Sequence, residues 1–160
     1  MIEVGKRPPA LTLNDTDGKK HSLKDYGGQH VLVYFYPKDD TPGCTKQACG
    51  FRDLWKPIQT LGAVVLGVSA DDADSHEAFR KKYRLPFPLL CDPGHKVMTR
   101  YGAYGEKVLY GRKSIGVIRS AVWVGPDGKV VKHWARVASA AKHPQKFLDL
   151  LKEFEGIATT

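Results

Sequence analysis

The sequence lacks long hydrophobic segments, because no apolar run approaches the length of about 20 residues that spans a bilayer. Residues 1–9 also lack the apolar core of a secretory signal peptide. We therefore expect a cytoplasmic protein that does not associate with membranes. The 160 residues contain no internal repeat and no clear interdomain linker. Because this length suffices for one hydrophobic core, we predict a single domain over residues 1–160.

Cysteine is scarce: the chain has three, at positions 44, 49 and 91. An odd number excludes a fully paired disulfide framework within one chain, and in a reducing compartment a disulfide is more often transient and chemical than structural. No two cysteines have the Cys-x-x-Cys spacing of thioredoxin-type oxidoreductases. The cysteines and the six histidines also show no paired ligand spacing, so we expect no zinc site and no other metal.

Basic residues outnumber acidic ones, with 25 Lys and Arg against 17 Asp and Glu and a formal net charge of +8. The positive residues are scattered among carboxylates, and the sequence has neither a basic block nor a known nucleic-acid-binding module. We interpret this charge as a solvated basic surface and expect no nucleic-acid partner.

Short apolar runs of strand length alternate with amphipathic segments of helical length. Strands are predicted at residues 30–36, 63–69, 88–91, 118–124 and 130–134, and helices at residues 42–55, 71–83, 96–101 and 144–154. Two short apolar segments around residues 11–13 and 21 flank a turn-rich stretch, which indicates a hairpin. The pattern predicts an α/β fold in which a central mixed β-sheet, with an N-terminal β-hairpin, is flanked by helices.

Cys44 stands at the start of a predicted helix, with Thr41 as its N-cap and Pro42 at its first position. Unpaired backbone N–H groups and the positive end of the helix dipole meet there, which favours a thiolate, the nucleophilic form of cysteine. Gly43 leaves the backbone open to a ligand. The alternative is a buried and inert cysteine, the commoner state of a lone thiol.

Cys49 follows five residues later on the same predicted helix. In an intact helix the two thiols point about 140° apart and their Cα atoms lie about 8.6 Å apart. A disulfide requires a separation below about 7 Å, so a bond between them requires the first turns to unwind. The helix would then have two states, one wound with the thiolate exposed to reaction and one unwound with the thiols joined. The alternative is that Cys49 is only a small core residue.

Residues 36–52 resemble the active-site segment of peroxiredoxins, specifically those of the bacterioferritin comigratory protein, or PrxQ, subfamily. The specific element is Pro-x-x-x-Thr-x-x-Cys, formed here by Pro37, Thr41 and Cys44. Residues 5–13, 65–69, 104–107 and 119–124 also fit, so the resemblance covers nearly the whole chain. A single motif match would be weaker.

The resemblance implies a thioredoxin-like fold and an enzyme that reduces hydrogen peroxide and organic hydroperoxides. Cys44 matches the cysteine that attacks the peroxide, Thr41 the residue that orients it, Pro37 the residue that shields the site, and Arg119 the arginine that supports the developing charge. The peroxide would bind among Thr41, Gly43, Cys44 and Arg119. Gln47 stands where many other peroxiredoxins carry glutamate.

The resemblance also implies that Cys49 is the resolving cysteine, which forms an intrachain disulfide with Cys44. A dithiol donor, thioredoxin or a glutaredoxin-like protein, would reduce this bond, and no cofactor would be needed. Subfamily members suggest a monomer. Cys91 is expected to be an inert core residue, with a resolving function as the alternative. The non-enzymatic alternative is a redox sensor or holdase-like protein that uses the same thiol switch.

Overall fold

The computed structural model describes residues 2–156. Residue 1 and residues 157–160 of the predicted domain lie outside this range. None of the described helices combines the length and the apolar composition needed to cross a membrane.

Strands and helices alternate along most of the chain. The strands are β1 (Thr12–Asn14), β2 (Lys20–Ser22), β3 (His30–Phe35), β4 (Ala63–Ser69), β5 (Leu89–Cys91), β6 (Tyr104–Leu109), β7 (Arg112–Val117), β8 (Ser120–Val124) and β9 (Val130–Trp134). The helices are α1 (Pro42–Asp53), α2 (Trp55–Thr60), α3 (Ala73–Tyr83), α4 (Lys96–Arg100) and α5 (His143–Phe154). A 3₁₀ turn, Leu23–Tyr26, follows β2.

Seven strands form one mixed sheet in the order β2-β1-β5-β4-β3-β8-β9. The strands β3, β4 and β5 are parallel neighbours, whereas the pairs at both edges of the sheet are antiparallel. β1 and β2 form the hairpin predicted at the N-terminus. The prediction of a central mixed sheet with an N-terminal hairpin is therefore confirmed.

The strand β3 lies between β4 and β8 and is buried along its whole length. Because side chains alternate across a strand, its residues feed two hydrophobic clusters on opposite faces of the sheet. Leu32 and Tyr34 pack on one face with residues of α1, α2, α3 and α5, while Val33 and Phe35 pack on the other face with residues of α4 and β1. Helices therefore cover both faces, as predicted, and the face covered by α1 contains Cys44.

Several boundaries differ from the prediction by one or two residues, and two of the differences affect the description of the site. The helix that begins at Pro42 ends at Asp53, and Pro57 lies in the first turn of the separate helix α2, where its missing N–H is tolerated. Residues 118 and 119 precede β8 instead of belonging to it, so Arg119 lies in the short connection between β7 and β8.

The hairpin of β6 and β7 was not predicted. It forms a separate two-stranded sheet, and residues 112–115 of β7 are exposed. A ribbon with little buried surface lacks the strong alternation of apolar and polar residues that identifies a strand in a sequence. The absence of that pattern explains why the sequence did not predict the hairpin of β6 and β7.

Candidate active site

The thiol of Cys44 lies at the amino end of α1, one turn after the loop that leaves β3. Thr41 is the N-cap by position, with extended backbone, and the first intrahelical bond runs from Thr45 N–H to Thr41 C=O at 2.8 Å. The amides of Gly43 and Cys44 precede that bond and point out of the helix end. Cys44 itself is only 1% exposed. The predicted position of the thiol at a helix start is confirmed.

Arg119 contacts this thiol from a distant part of the chain. Its Nη2 donates to Cys44 Sγ at 3.3 Å across a sequence separation of 75 residues. The register of the sheet explains the contact, because Ser120 of β8 pairs with Phe35 of β3, and Arg119 therefore lies beside the point where the chain leaves β3 for α1. A guanidinium in this place stabilises negative charge on sulfur.

Gln47 holds the guanidinium of Arg119 in place, and Gly43 leaves room for it. Arg119 Nη1 donates to Gln47 Oε1 at 2.7 Å, and Gln47 is fully buried. A Cβ on Gly43 would lie 3.1 Å from Arg119 Nη2, so the open face of Gly43 admits the arginine. We expected this face to admit a ligand, and its part in binding peroxide stays a prediction.

Thr41 and Pro37 shape the loop before α1. The Thr41 hydroxyl donates to the Lys38 carbonyl at 2.8 Å instead of capping the helix, so the predicted side-chain cap is absent and the bond closes the loop on itself. Pro37 follows the end of β3 and is exposed. The orientation of peroxide by Thr41 and the shielding of the thiol by Pro37 stay predictions.

Asp39 anchors the same loop to the body of the protein. Its carboxylate accepts hydrogen bonds from Tyr36 Oη at 2.6 Å, Ser75 Oγ at 2.8 Å and His76 Nδ1 at 2.6 Å. His76 Nε2 also donates, to the Leu90 carbonyl at 2.9 Å. Because both ring nitrogens face acceptors, His76 is the imidazolium and forms a buried ion pair with Asp39.

A metal would have to displace this hydrogen-bonded network. Ligand atoms of Asp39, Asp71 and His76 lie within 4.8 Å of one another. The Asp71 carboxylate already accepts from the Asp39 amide at 2.8 Å and from Ser69 Oγ at 2.6 Å. Tyr36 is 1% exposed and joins this network through its hydroxyl.

The buried pair predicts a specific pH dependence of stability. Burial lowers the pKa of His76, but the hydrogen bond and charge of Asp39 outweigh burial and raise it above its ordinary value. The pair therefore contributes fully below the unfolded-state pKa of about 6.5, and its contribution is lost as the pH rises through the folded-state pKa. In Asp39→Asn the hydrogen bond and charge of Asp39 are lost, while burial, the Leu90 hydrogen bond and the Asp71 charge remain, so the pKa of His76 is raised less and less stability is lost at high pH.

Urea unfolding of the wild type and of Asp39→Asn between pH 5.5 and 9 measures this difference. We expect the stability advantage of the wild type to shrink as the pH rises, with a slope of at most about 1.4 kcal/mol per pH unit. Asp40→Asn is the matched control, because Asp40 is exposed and pairs with Lys82 at 2.8 Å. A stability difference between wild type and Asp39→Asn that does not vary with pH would contradict the ion pair.

Cys49 lies on the same unbroken helix as Cys44, and both are free thiols. Cys44 is buried and Cys49 is half-buried, in agreement with thiols that point in different directions. Burial raises the pKa of the Cys49 thiol, the Arg52 charge opposes this, and the net direction is upward. In the wound helix Cys49 is therefore held in the less nucleophilic thiol form.

Cys91 ends β5 at the other side of β4, where it pairs in register with Ser69. Burial and then the charges of nearby carboxylates, Asp39 first, raise the pKa of its thiol to about 11. A thiol with this pKa is almost entirely protonated at neutral pH, which favours the expected inert thiol over the resolving alternative.

A cavity of about 520 Å³ lies away from the thiol. It is lined by residues 7–12, 22–24, 26–27, 29, 31 and 124–128. These residues surround the start of β3, whereas Cys44 follows its end, so this cavity does not belong to the thiol site.

Two polar contacts of the site were missed by sequence reasoning. Gln47 Nε2 meets His143 Nδ1 at 3.1 Å, and Asp39 meets His76, both across large sequence separations. A weak signal was present, since Gln47 occupies a helix face with Ala48 and Phe51 that is otherwise apolar.

The fold and site together define a thioredoxin-like protein with a buried thiol at the first helix of its central βαβ unit and an arginine beside the sulfur. Residues 4–133 match the model of the AhpC/TSA family. Peroxiredoxin Bcp of Bacillus subtilis is 38% identical over 152 residues, which are 95% of this chain and 96% of that protein.

Solved structures give the same result. The chain is similar to the bacterioferritin comigratory protein of Xanthomonas campestris, with a TM-score of 0.86, 33% identity and coverage of 95% of this chain and 99% of that chain. It is also similar to PrxQ of Xylella fastidiosa, with a TM-score of 0.89, 30% identity and coverage of 97% and 98%. The chain therefore belongs to the AhpC/TSA family and is a peroxiredoxin, a peroxidase with a thioredoxin fold.

Proposed function

We propose that this peroxiredoxin reduces hydrogen peroxide and organic hydroperoxides with Cys44 as the attacking nucleophile. The contact of Arg119 Nη2 with Cys44 Sγ at 3.3 Å, at the amino end of α1, is the observation that carries the proposal. The related bacterioferritin comigratory protein of Xanthomonas campestris has alkyl peroxide reduction activity.

The Cys44 thiolate attacks one peroxide oxygen, an S–O bond forms, and the O–O bond breaks. Sulfur is oxidised to sulfenic acid, while the departing oxygen takes the bonding electrons and a proton and leaves as water or alcohol. Negative charge moves from sulfur to the departing oxygen during this step. Arg119 and the amides of Gly43 and Cys44 are fixed donors that stabilise this charge most strongly in the transition state, and Thr41 orients the peroxide.

Cys49 then resolves the sulfenic acid. The first turns of α1 unwind, the Cys49 sulfur attacks the Cys44 sulfur, an S–S bond forms, and the hydroxyl group leaves as water. Unwinding also removes the burial that raises the pKa of Cys49, so the same motion brings the thiols together and increases the nucleophilicity of the second one. A dithiol donor of the thioredoxin or glutaredoxin-like class reduces the disulfide by exchange.

We further propose that the chain works as a cytoplasmic monomer. The contacts of Cys44 with Arg119 and of Arg119 with Gln47 are made within one chain, so the thiol needs no residue from a second copy. A reducing compartment supplies the dithiol donor that the cycle requires. Analytical ultracentrifugation of the reduced and oxidised protein tests the oligomeric state.

The disulfide formed after one equivalent of peroxide tests the assignment of Cys49. We expect mass mapping to find a Cys44–Cys49 bond in the wild type and in Cys91→Ser. In Cys49→Ser we expect one oxidation, accumulation of sulfenic or overoxidised Cys44, and loss of thioredoxin-dependent turnover. Normal cycling by Cys49→Ser together with loss of cycling by Cys91→Ser would assign resolution to Cys91.

A further inference from the structure

A chain of hydrogen bonds leads from the thiol to the start of α5. Arg119 Nη2 donates to Cys44 Sγ at 3.3 Å, and Arg119 Nη1 donates to Gln47 Oε1 at 2.7 Å. Gln47 Nε2 lies 3.1 Å from His143 Nδ1. Gln47 and His143 are both buried, with exposures of 0% and 3%. The last member of this chain is therefore a histidine that does not touch the sulfur.

The helices α1 and α5 approach each other closely at this point. A Cβ on Gly50 would lie 2.7 Å from Pro144 Cγ, so α1 and α5 approach closely only because residue 50 is glycine. The ring of His143 also packs edge-on against Phe51, with centroids 5.7 Å apart, and against Trp134, at 4.8 Å. These contacts place His143 firmly beside Gln47.

The donors and acceptors along this series of hydrogen bonds allow one orientation of the Gln47 amide and one tautomer of His143. A guanidinium has donors only, so the Gln47 oxygen must face Arg119 and its NH₂ group must face His143. Nδ1 of His143 must then accept, which places the ring proton on Nε2. A His143 imidazolium would present a donor to the amide NH₂ and would remove this acceptor.

Burial and nearby positive charge keep His143 neutral. Burial first, and then the positive charges of Arg119 and Lys146, lower the pKa of His143 to about 4. The ring is therefore neutral at physiological pH, as the hydrogen-bond arrangement requires.

We propose that His143 is a positioning residue for the peroxide reaction: its Nδ1 lone pair sets the orientation of the Gln47 amide, whose oxygen holds Arg119 against the Cys44 thiolate. This proposal rests on the proposed reaction of Cys44 with peroxide. Without the acceptor, the buried amide has an unsatisfied donor and is no longer fixed with its oxygen toward Arg119. The guanidinium is then less well placed when charge develops on the departing oxygen.

Two variants separate positioning from packing. His143→Asn places its side-chain oxygen near the position of Nδ1 and keeps the acceptor, but it leaves a void beside Phe51 and Trp134. His143→Leu fills more of the space and lacks the acceptor. We expect His143→Leu to slow the stopped-flow reaction of reduced protein with hydrogen peroxide about tenfold. His143→Asn should stay within about threefold of the wild-type rate, although it melts at a lower temperature than the wild type.

A wild-type rate in His143→Leu, or an equal loss of rate in both variants, would overturn the proposal. Absence of reaction in the wild type would instead contradict the proposed function. The two failures are therefore distinguishable.

The tautomer provides a readout without turnover. We expect ¹⁵N-edited NMR of the reduced protein at neutral pH to show His143 protonated on Nε2. In Gln47→Glu both side-chain oxygens accept, so His143 should switch its proton to Nδ1. A wild-type ring protonated on Nδ1 would overturn the proposal, as would a ring whose tautomer does not respond to Gln47→Glu.

Discussion

Replacement of Cys44 with serine is expected to abolish peroxide reduction. A serine hydroxyl is almost fully protonated at neutral pH and cannot form the sulfenic acid that the cycle requires. The helix should remain folded, because serine is only slightly smaller than cysteine. The site also lies at a helix end, where polar groups are tolerated. Peroxide consumption with a thioredoxin-reducing system, together with a thermal melt, measures both effects.

Cys91→Ser is the matched control for Cys44→Ser, because it makes the same atomic change at the thiol whose pKa is about 11. We expect turnover close to that of the wild type in this control. Retained turnover in Cys44→Ser would remove the basis of the proposed function. Stoichiometric oxidation of the wild type without steady-state turnover would favour the redox-sensor alternative.

Arg119→Met is expected to slow the reaction with peroxide by about 10²- to 10³-fold, the range found when one fixed donor to a developing negative charge is removed. Methionine keeps much of the apolar stem but removes the donors to Cys44 Sγ and to Gln47 Oε1. Stopped-flow rate constants for hydrogen peroxide and for an alkyl hydroperoxide measure the effect. Arg119→Lys should give an intermediate rate, because one ammonium cannot reproduce the planar fork that reaches both partners.

Arg112→Met is the matched control for Arg119→Met, since Arg112 is exposed on β7 and the substitution changes the net charge equally. We expect this control to react at the wild-type rate. If Arg119→Met and Arg112→Met slowed the reaction alike, the effect would be one of net charge. If Arg119→Met lowered the melting temperature strongly while its rate constant stayed high, Arg119 would be structural.

The thiol site was predictable because its signals are local. Thr41 as N-cap followed by Pro42 at the first position indicates a helix start before Cys44, and the properties of a helix start follow from its unpaired amides. The spacing of Cys44 and Cys49 likewise gives their separation in any intact helix. The central sheet was predictable for a similar reason, because strands buried on both faces, such as β3 and β4, form continuous apolar runs.

The position of Arg119 beside Cys44 could not be predicted from the residues near it in the sequence. Its match to the family arginine came from resemblance, and the strand prediction placed it inside β8 when it precedes that strand. Only the pairing of Ser120 with Phe35 brings it to the end of β3 and hence to Cys44. Strand register depends on contacts between residues far apart in the chain, which no short segment specifies.

The two histidines of the site show the same division more strongly. Nothing in the neighbouring residues distinguishes His76, a charged partner of Asp39, from His143, a neutral acceptor for Gln47. Burial lowers the pKa of both rings, but the Asp39 carboxylate outweighs burial at His76, whereas the charges of Arg119 and Lys146 add to it at His143.

Local sequence therefore determines that Cys44 is placed at a helix start and that Cys49 is out of its reach while the helix is wound. Tertiary structure decides that Arg119 faces the sulfur, that Gln47 and His143 hold it there, and that Asp39 and His76 anchor the loop. The physical reason is the range of the interactions. Helix geometry and unpaired amides act within a few residues, whereas hydrogen-bond partners, burial and protonation states depend on which distant segments the sheet brings together.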